Sequence, residues 1–213
     1  MEIIDLTHTI ENDMPAYPGE ESPVLENKYS HQNDGFQVLR LKMLTHSGTH
    51  LDTPAHFYDN GLTTDIMNLT NFYGKGLLID CSGFSEGEII SAQSLLRYNE
   101  ELQHADFALI YSGWSKHWGA NKYFGKFPVL SEESTMYLLS FKLKGIGLDV
   151  ISIDPISSAE YKNHNLVLSN GLIIIENLTN LEYLVNKTFD FAAFPLKIKH
   201  GDGSPVRATA IVK

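Results

Sequence analysis

Short β-branched, apolar segments recur along the whole chain with helix-like segments between them, and this interleaving restricts the fold more than any other feature. Residues 3–7, 36–45, 76–80, 107–112, 147–151, 171–176, 189–195 and 206–212 read as strands. Helical patterns occupy residues 91–103, 131–144 and 158–166. Ser91 and Ser131 stand at N-cap positions. Glu132 and Glu133 follow in a first turn, and Gly145 stands just past the end of that pattern, as the helix dipole and a C-cap require. Within residues 36–45, Val38, Arg40, Lys42 and Leu44 alternate with Leu39, Leu41 and Met43. An apolar face is therefore expected to pack while Arg40 and Lys42 reach solvent. No repeat, low-complexity tract or linker divides the chain. The expectation is an α/β protein with residues 1–213 in a single mixed-sheet domain.

Composition narrows the function. Hydrophobic residues make up 43% of the 213 and charged residues 20%, enough apolar material for a core. A formal charge of −10 argues against nucleic acid and anionic membrane surfaces as partners. It leaves room for a small-molecule substrate, even an anionic one, because a bound metal can dominate the local field. Cys81 is the single cysteine, so no internal disulfide and no thiolate-rich zinc site can form. Met1-Glu2-Ile3-Ile4-Asp5-Leu6 lacks the basic and apolar sections of a signal peptide. No apolar run reaches the ~20 residues that span a bilayer. A cytoplasmic location is expected.

Residues 46–56 read His-Ser-Gly-Thr-His-Leu-Asp-Thr-Pro-Ala-His and hold three of the nine histidines. Composition alone would place about half a histidine in such a window. His46, His50 and Asp52 offer imidazole and carboxylate donors suited to zinc, manganese, iron or nickel. Gly48, Thr49, Thr53 and Pro54 disfavour a helix here. A straight strand would hold His46 and His50 ~13 Å apart, too far to share an ion. The chain must bend between them, and Gly48 most easily permits it, so a turn is expected after the strand at 36–45. His56 lies past Pro54 and suits a second task, carrying protons beside a metal-bound water. A single histidine is more often a packed or surface residue than a ligand; three with an aspartate at this spacing reverse that balance.

His164 and Glu176 are weaker candidates taken alone. Glu176 closes the apolar run Leu172-Ile173-Ile174-Ile175, and a buried acid there must be paired or metal-bound. A closed structural zinc site would fill every position with protein ligands; the additional His56 favours chemistry over a non-catalytic metal-binding module. A serine hydrolase is a weaker competitor, because the chain has no Gly-x-Ser-x-Gly elbow.

The run from His46 to His56 resembles the His-x-Gly-Thr-His-x-Asp-x-Pro-x-His signature of the metal-dependent cyclase family, which includes bacterial kynurenine formamidase and isatin hydrolase. The likeness extends along nearly the whole chain: Ile4-Asp5-Leu6-Thr7, Met14-Pro15-Ala16-Tyr17-Pro18-Gly19 and Gly201-Asp202-Gly203-Ser204-Pro205-Val206-Arg207 resemble further family segments. The resemblance implies a swivelling β/β/α domain, dimeric or tetrameric. It implies His46, His50 and Asp52 on a first divalent ion, zinc or else manganese. A second ion would be bridged by Asp52 and held by His164 and Glu176, giving one or two per subunit. His56 becomes the catalytic acid/base and Tyr17 a substrate-binding residue. The implied reaction is hydrolysis of N-formylkynurenine to kynurenine and formate in tryptophan catabolism; opening of an isatin-like lactam or cyclic imide is the alternative. Two positions depart from the pattern. Tyr17 replaces a tryptophan expected to face the substrate ring, and His200 replaces an expected glycine at the pocket rim.

Overall fold

The computed structural model describes residues 1–213. Its strands are β1 (Glu2–Asp5), β2 (Val24–Tyr29), β3 (Val38–Lys42), β4 (His50–Asp52), β5 (Tyr73–Asp80), β6 (Ile89–Ile90), β7 (Phe107–Tyr111), β8 (Val129–Leu130), β9 (Gly145–Leu148), β10 (Ile173–Glu176), β11 (Phe189–Ala192), β12 (Gly203–Pro205) and β13 (Thr209–Val212). The α-helices are α1 (His31–Asp34), α2 (Ala92–Leu95), α3 (Asn99–Leu102), α4 (Glu132–Leu139) and α5 (Lys162–Ser169). Nine strands form one mixed sheet in the order β1-β13-β11-β5-β7-β9-β10-β4-β12. The central β5, β7, β9 and β10 are parallel to one another, and the flanking pairs are antiparallel. No helix is long and apolar enough to cross a membrane.

The parallel strands are apolar on both faces because both faces are covered. Ala108, Ile110, Ile146, Leu148 and Ile174 enter one core, where Leu95, Leu102, Leu138, Val167 and Leu168 of the helices meet them. Phe107, Leu109, Ile173 and Ile175 enter the other, which the sheet itself closes with Ile4, Leu6, Phe189, Phe191 and Ala210. The sheet curls far enough that Thr7, beyond β1, bridges to Leu178, beyond β10. Thr179 N–H then donates to the Leu6 carbonyl.

Several elements differ from expectation. The helix expected over 91–103 is broken at a 3-10 turn, Leu96–Tyr98. There the Tyr98 hydroxyl accepts the Asp80 N–H at 2.9 Å, drawing the chain toward the end of β5. The Ser131 side chain caps α4, but α4 ends at Leu139, and Gly145 opens β9 rather than capping the helix. The last helix starts at Lys162, not Ser158. Strand β3 does not bury an apolar face: all five residues are exposed, and it pairs with β2 in a hairpin apart from the main sheet. The turn after β3 is present, with Gly48 at φ +64.

Candidate active site

Strand β4 carries the chemistry through its alternation. Leu51 faces the second core, so His50 and Asp52 face the helix side of the sheet. The antiparallel register sets His50 directly opposite Glu176 on β10. Helix α5 packs over this face and delivers His164. His50 Nε2 lies 3.3 Å from Asp52 Oδ1 and 3.6 Å from Glu176 Oε2. His164 Nε2 lies 3.4 Å from Glu176 Oε1 and 3.7 Å from Asp52 Oδ2. All four side chains are buried. Glu176 also accepts the Ile153 N–H at 2.8 Å, so the acid that closes a buried strand is paired as its position requires.

His46 reaches the cluster from the turn before β4. Its Nδ1 lies 2.6 Å from Asp52 Oδ1 and its Nε2 2.9 Å from Asp202 Oδ2. A side chain on Gly203 would sit 2.6 Å from His46 Cε1, so the bare backbone of that glycine leaves room for the ring. His50 Nδ1–H donates to the Gly48 carbonyl at 2.8 Å, which leaves Nε2 free to face the carboxylates. His56 stands apart on the 3-10 turn Pro54–His56. Its ring centroid is 3.9 Å from that of His46. Its Nδ1 is 3.5 Å from Asp202 Oδ2, and its side chain keeps 31% of its exposure.

Burial alone would lower the pKa of His46, but Asp52 and Asp202 outweigh it and hold the ring up to about 10. His164 is likewise opposed by burial yet pushed up to about 10 by Asp154, Glu176 and Asp52. Burial, aided by the neighbouring His46 and His164, lowers His56 below its ordinary value against the opposing pull of Asp52 and Asp202. His56 is thus shifted in the opposite direction to His46 and His164.

Ligand-type atoms converge in two groups, His50 with Asp52 and Glu176, and His46 with Asp52 and His56, each within 4.8 Å. Asp52 belongs to both. Buried, mutually close carboxylates with imidazole nitrogens fit a divalent cation such as zinc or manganese. His50 stands beside Glu176 and also beside His46, whose ring centroid is 5.2 Å away; both imidazoles face Asp52 Oδ1.

A cavity of about 480 Å³ opens over the cluster, and Tyr17, Leu44, Phe57 and Tyr161 line it with the metal-type residues. Burial and the neighbouring Tyr161 push the Tyr17 phenol up to about 12. Phe57 stacks on His164 with centroids 5.1 Å apart, and it also packs on the first core. Tyr58 turns away, its hydroxyl donating to Asn165 Oδ1 at 3.0 Å. His200 does not line the cavity; it sits exposed at φ +58, in the left-handed region that favours glycine. Asp154, Tyr161 and Asp202 were not singled out from the sequence. Asp202 lies within a family-like segment, but Asp154 and Tyr161 carry no local motif.

A half-exposed imidazole beside a buried N/O cluster and an open cavity is the arrangement of a hydrolytic metalloenzyme, not of a closed structural metal site. Comparison with known proteins agrees. Residues 4–155 match the family model Cyclase. The chain belongs to the metal-dependent cyclase family. It is 36% identical to an uncharacterized protein of Methanocaldococcus jannaschii over the whole of both chains. It is 31% identical to a kynurenine formamidase of Bacillus mycoides, covering 96% of this chain and 95% of that one. Isatin hydrolase A from Labrenzia aggregata superposes with a TM-score of 0.89 at 27% identity, over 99% of this chain and 93% of that chain.

Proposed function

We propose that the protein hydrolyses a small aryl amide, with N-formylkynurenine as the leading substrate and kynurenine and formate as products. The observation that carries the reading is His56, half-exposed at the cavity and in contact with the ring of His46. The kynurenine formamidase relative supports the choice of substrate. His46, His50, Asp52, His164 and Glu176 would hold the metal, zinc or else manganese, as one or two ions per subunit, with Asp52 in reach of His46, His50 and His164. When bound, a divalent cation supplies Lewis acidity that acidifies water and polarises the scissile carbonyl. Asp202 beside His56 Nδ1 favours a proton there and leaves Nε2 as the basic nitrogen. His56 Nε2 takes a proton from the attacking water and returns it to the departing arylamine nitrogen. Tyr17, Phe57 and Tyr161 offer an aromatic wall to the aryl group.

Opening of an isatin-like lactam is the second reading, favoured by tyrosine at position 17 and by the likeness to isatin hydrolase A. Turnover of N-formylkynurenine and of isatin by one metal-loaded preparation ranks the two. The expected result is the higher kcat/KM on the formamide; preference for isatin reverses the assignment.

A further inference from the structure

We propose that Asp154 is a positioning residue of the centre, its carboxylate fixing the His164 ring so that Nε2 is presented to Asp52 and Glu176. The inference rests on the reading of His164 as a metal ligand.

Helix α5 begins without a cap of its own. Its N-cap residue, Tyr161, is in the left-handed region at φ +47 and makes no side-chain cap. The free N–H groups of the first turn still need acceptors. Asp154 supplies them from outside the helix: Oδ1 accepts Asn163 N–H at 2.9 Å and Oδ2 accepts His164 N–H at 3.0 Å. The same Oδ2 accepts His164 Nδ1–H at 2.7 Å. One carboxylate therefore grips both the backbone and the ring of His164. With Nδ1 committed as donor, Nε2 is the nitrogen left to face Glu176 Oε1 at 3.4 Å and Asp52 Oδ2 at 3.7 Å. Phe57, stacked nearly parallel to the ring at 11°, limits its rotation.

Asp154 is itself 2% exposed, and its N–H donates to Ser152 Oγ at 3.2 Å. The donors pointing at its carboxylate are all N–H groups, so both oxygens must accept. Asparagine has one acceptor oxygen and would set its NH₂ against either Asn163 N–H or the two N–H groups of His164. Helix capping alone would tolerate that exchange far better than ring orientation, because water or an Asn side chain can serve an N-terminus. A carboxylate partner on the far nitrogen of a ligating histidine fixes its tautomer and strengthens it as a donor.

The test is zinc binding by chelator-stripped, full-length protein, followed by competition with a chromophoric chelator in the absence of substrate. Asp154→Asn is expected to weaken zinc binding at one site about 10–100-fold. Thr135→Ala removes the 2.8 Å hydrogen bond to Asn163 Oδ1 on the same turn without touching Asp154 or His164. It is expected to keep wild-type affinity even if both variants lower the Tm of the stripped protein. Wild-type affinity in Asp154→Asn, or an equal loss in Thr135→Ala, overturns the proposal. Nitrogen NMR of the zinc-loaded wild type needs no variant: zinc on His164 Nε2 with a proton on Nδ1 is expected, and zinc on Nδ1 refutes it. A wild type that binds no zinc would instead defeat the reading of His164 as a ligand.

Discussion

His56 and His8 show how environment divides residues of one type. Deleting the His56 ring removes the proton carrier and leaves the buried donors in place. His56→Ala is therefore expected to lower kcat about 10²–10⁴-fold at unchanged metal content, measured by elemental analysis; loss of metal would make His56 a ligand instead. His8 is stacked on Trp118 with centroids 3.9 Å apart, and its Nε2 is buried without a partner. Burial lowers its pKa from 6.5 to about 4. The unfolded chain therefore takes up the proton first, and stability falls as pH drops from 6.5 toward 4. His8→Phe keeps the stack and removes the titration. Urea unfolding at pH 5 and pH 7 is expected to show the acid-induced loss shrinking by about 1–2 kcal/mol; an undiminished loss would place the acid sensitivity elsewhere. His46, His50, Asp52 and His56 were legible in sequence because they lie within one turn, one strand and the turn that follows it. Asp202 was not, because it meets His46 across 156 residues, and Asp154 acts through a hydrogen bond that no spacing announces.

At the scale of elements, the interleaved pattern revealed the long central strands, whose apolar runs reflect cover on both faces. It did not reveal β4, since a three-residue strand is too short to show alternation. It did not reveal β2 either, because Glu26, Asn27 and Lys28 interrupt its apolar residues. The alternation in β3 suggested a packed face that the hairpin does not have, as alternation records side-chain order and not what lies opposite. The segment before β12 holds a local strain. His200 occupies φ +58 with an exposed side chain, and its backbone N–H donates to Asp65 Oδ1 at 3.1 Å. His200→Gly keeps that bond and relieves the conformation, so stability is expected to rise by roughly 0.5–1 kcal/mol, with turnover unchanged. A fall in kcat would give the imidazole a role at the cavity rim that its position outside the lining does not suggest.

For the whole molecule, the β2–β3 hairpin is the part that the chain's own core does not account for. Phe36, Val38, Leu39 and Leu41 on it are 42–52% exposed, and a lone two-stranded hairpin is marginal in water. The homo-oligomer implied by the family likeness is proposed to cover this arm with a second copy of the chain. Sedimentation velocity is expected to give a dimer or tetramer for the wild type and a monomer for Leu39→Glu/Leu41→Glu; a wild-type monomer at micromolar concentration contradicts it. Amide hydrolysis is proposed to depend on a metal held by His46, His50, Asp52, His164 and Glu176. Its most direct test is N-formylkynurenine turnover by purified protein before chelation, after chelation, and after zinc or manganese is restored. The expected result is turnover that chelation abolishes and metal restores. Turnover indifferent to chelation, or none in a sample verified to carry metal, would contradict it.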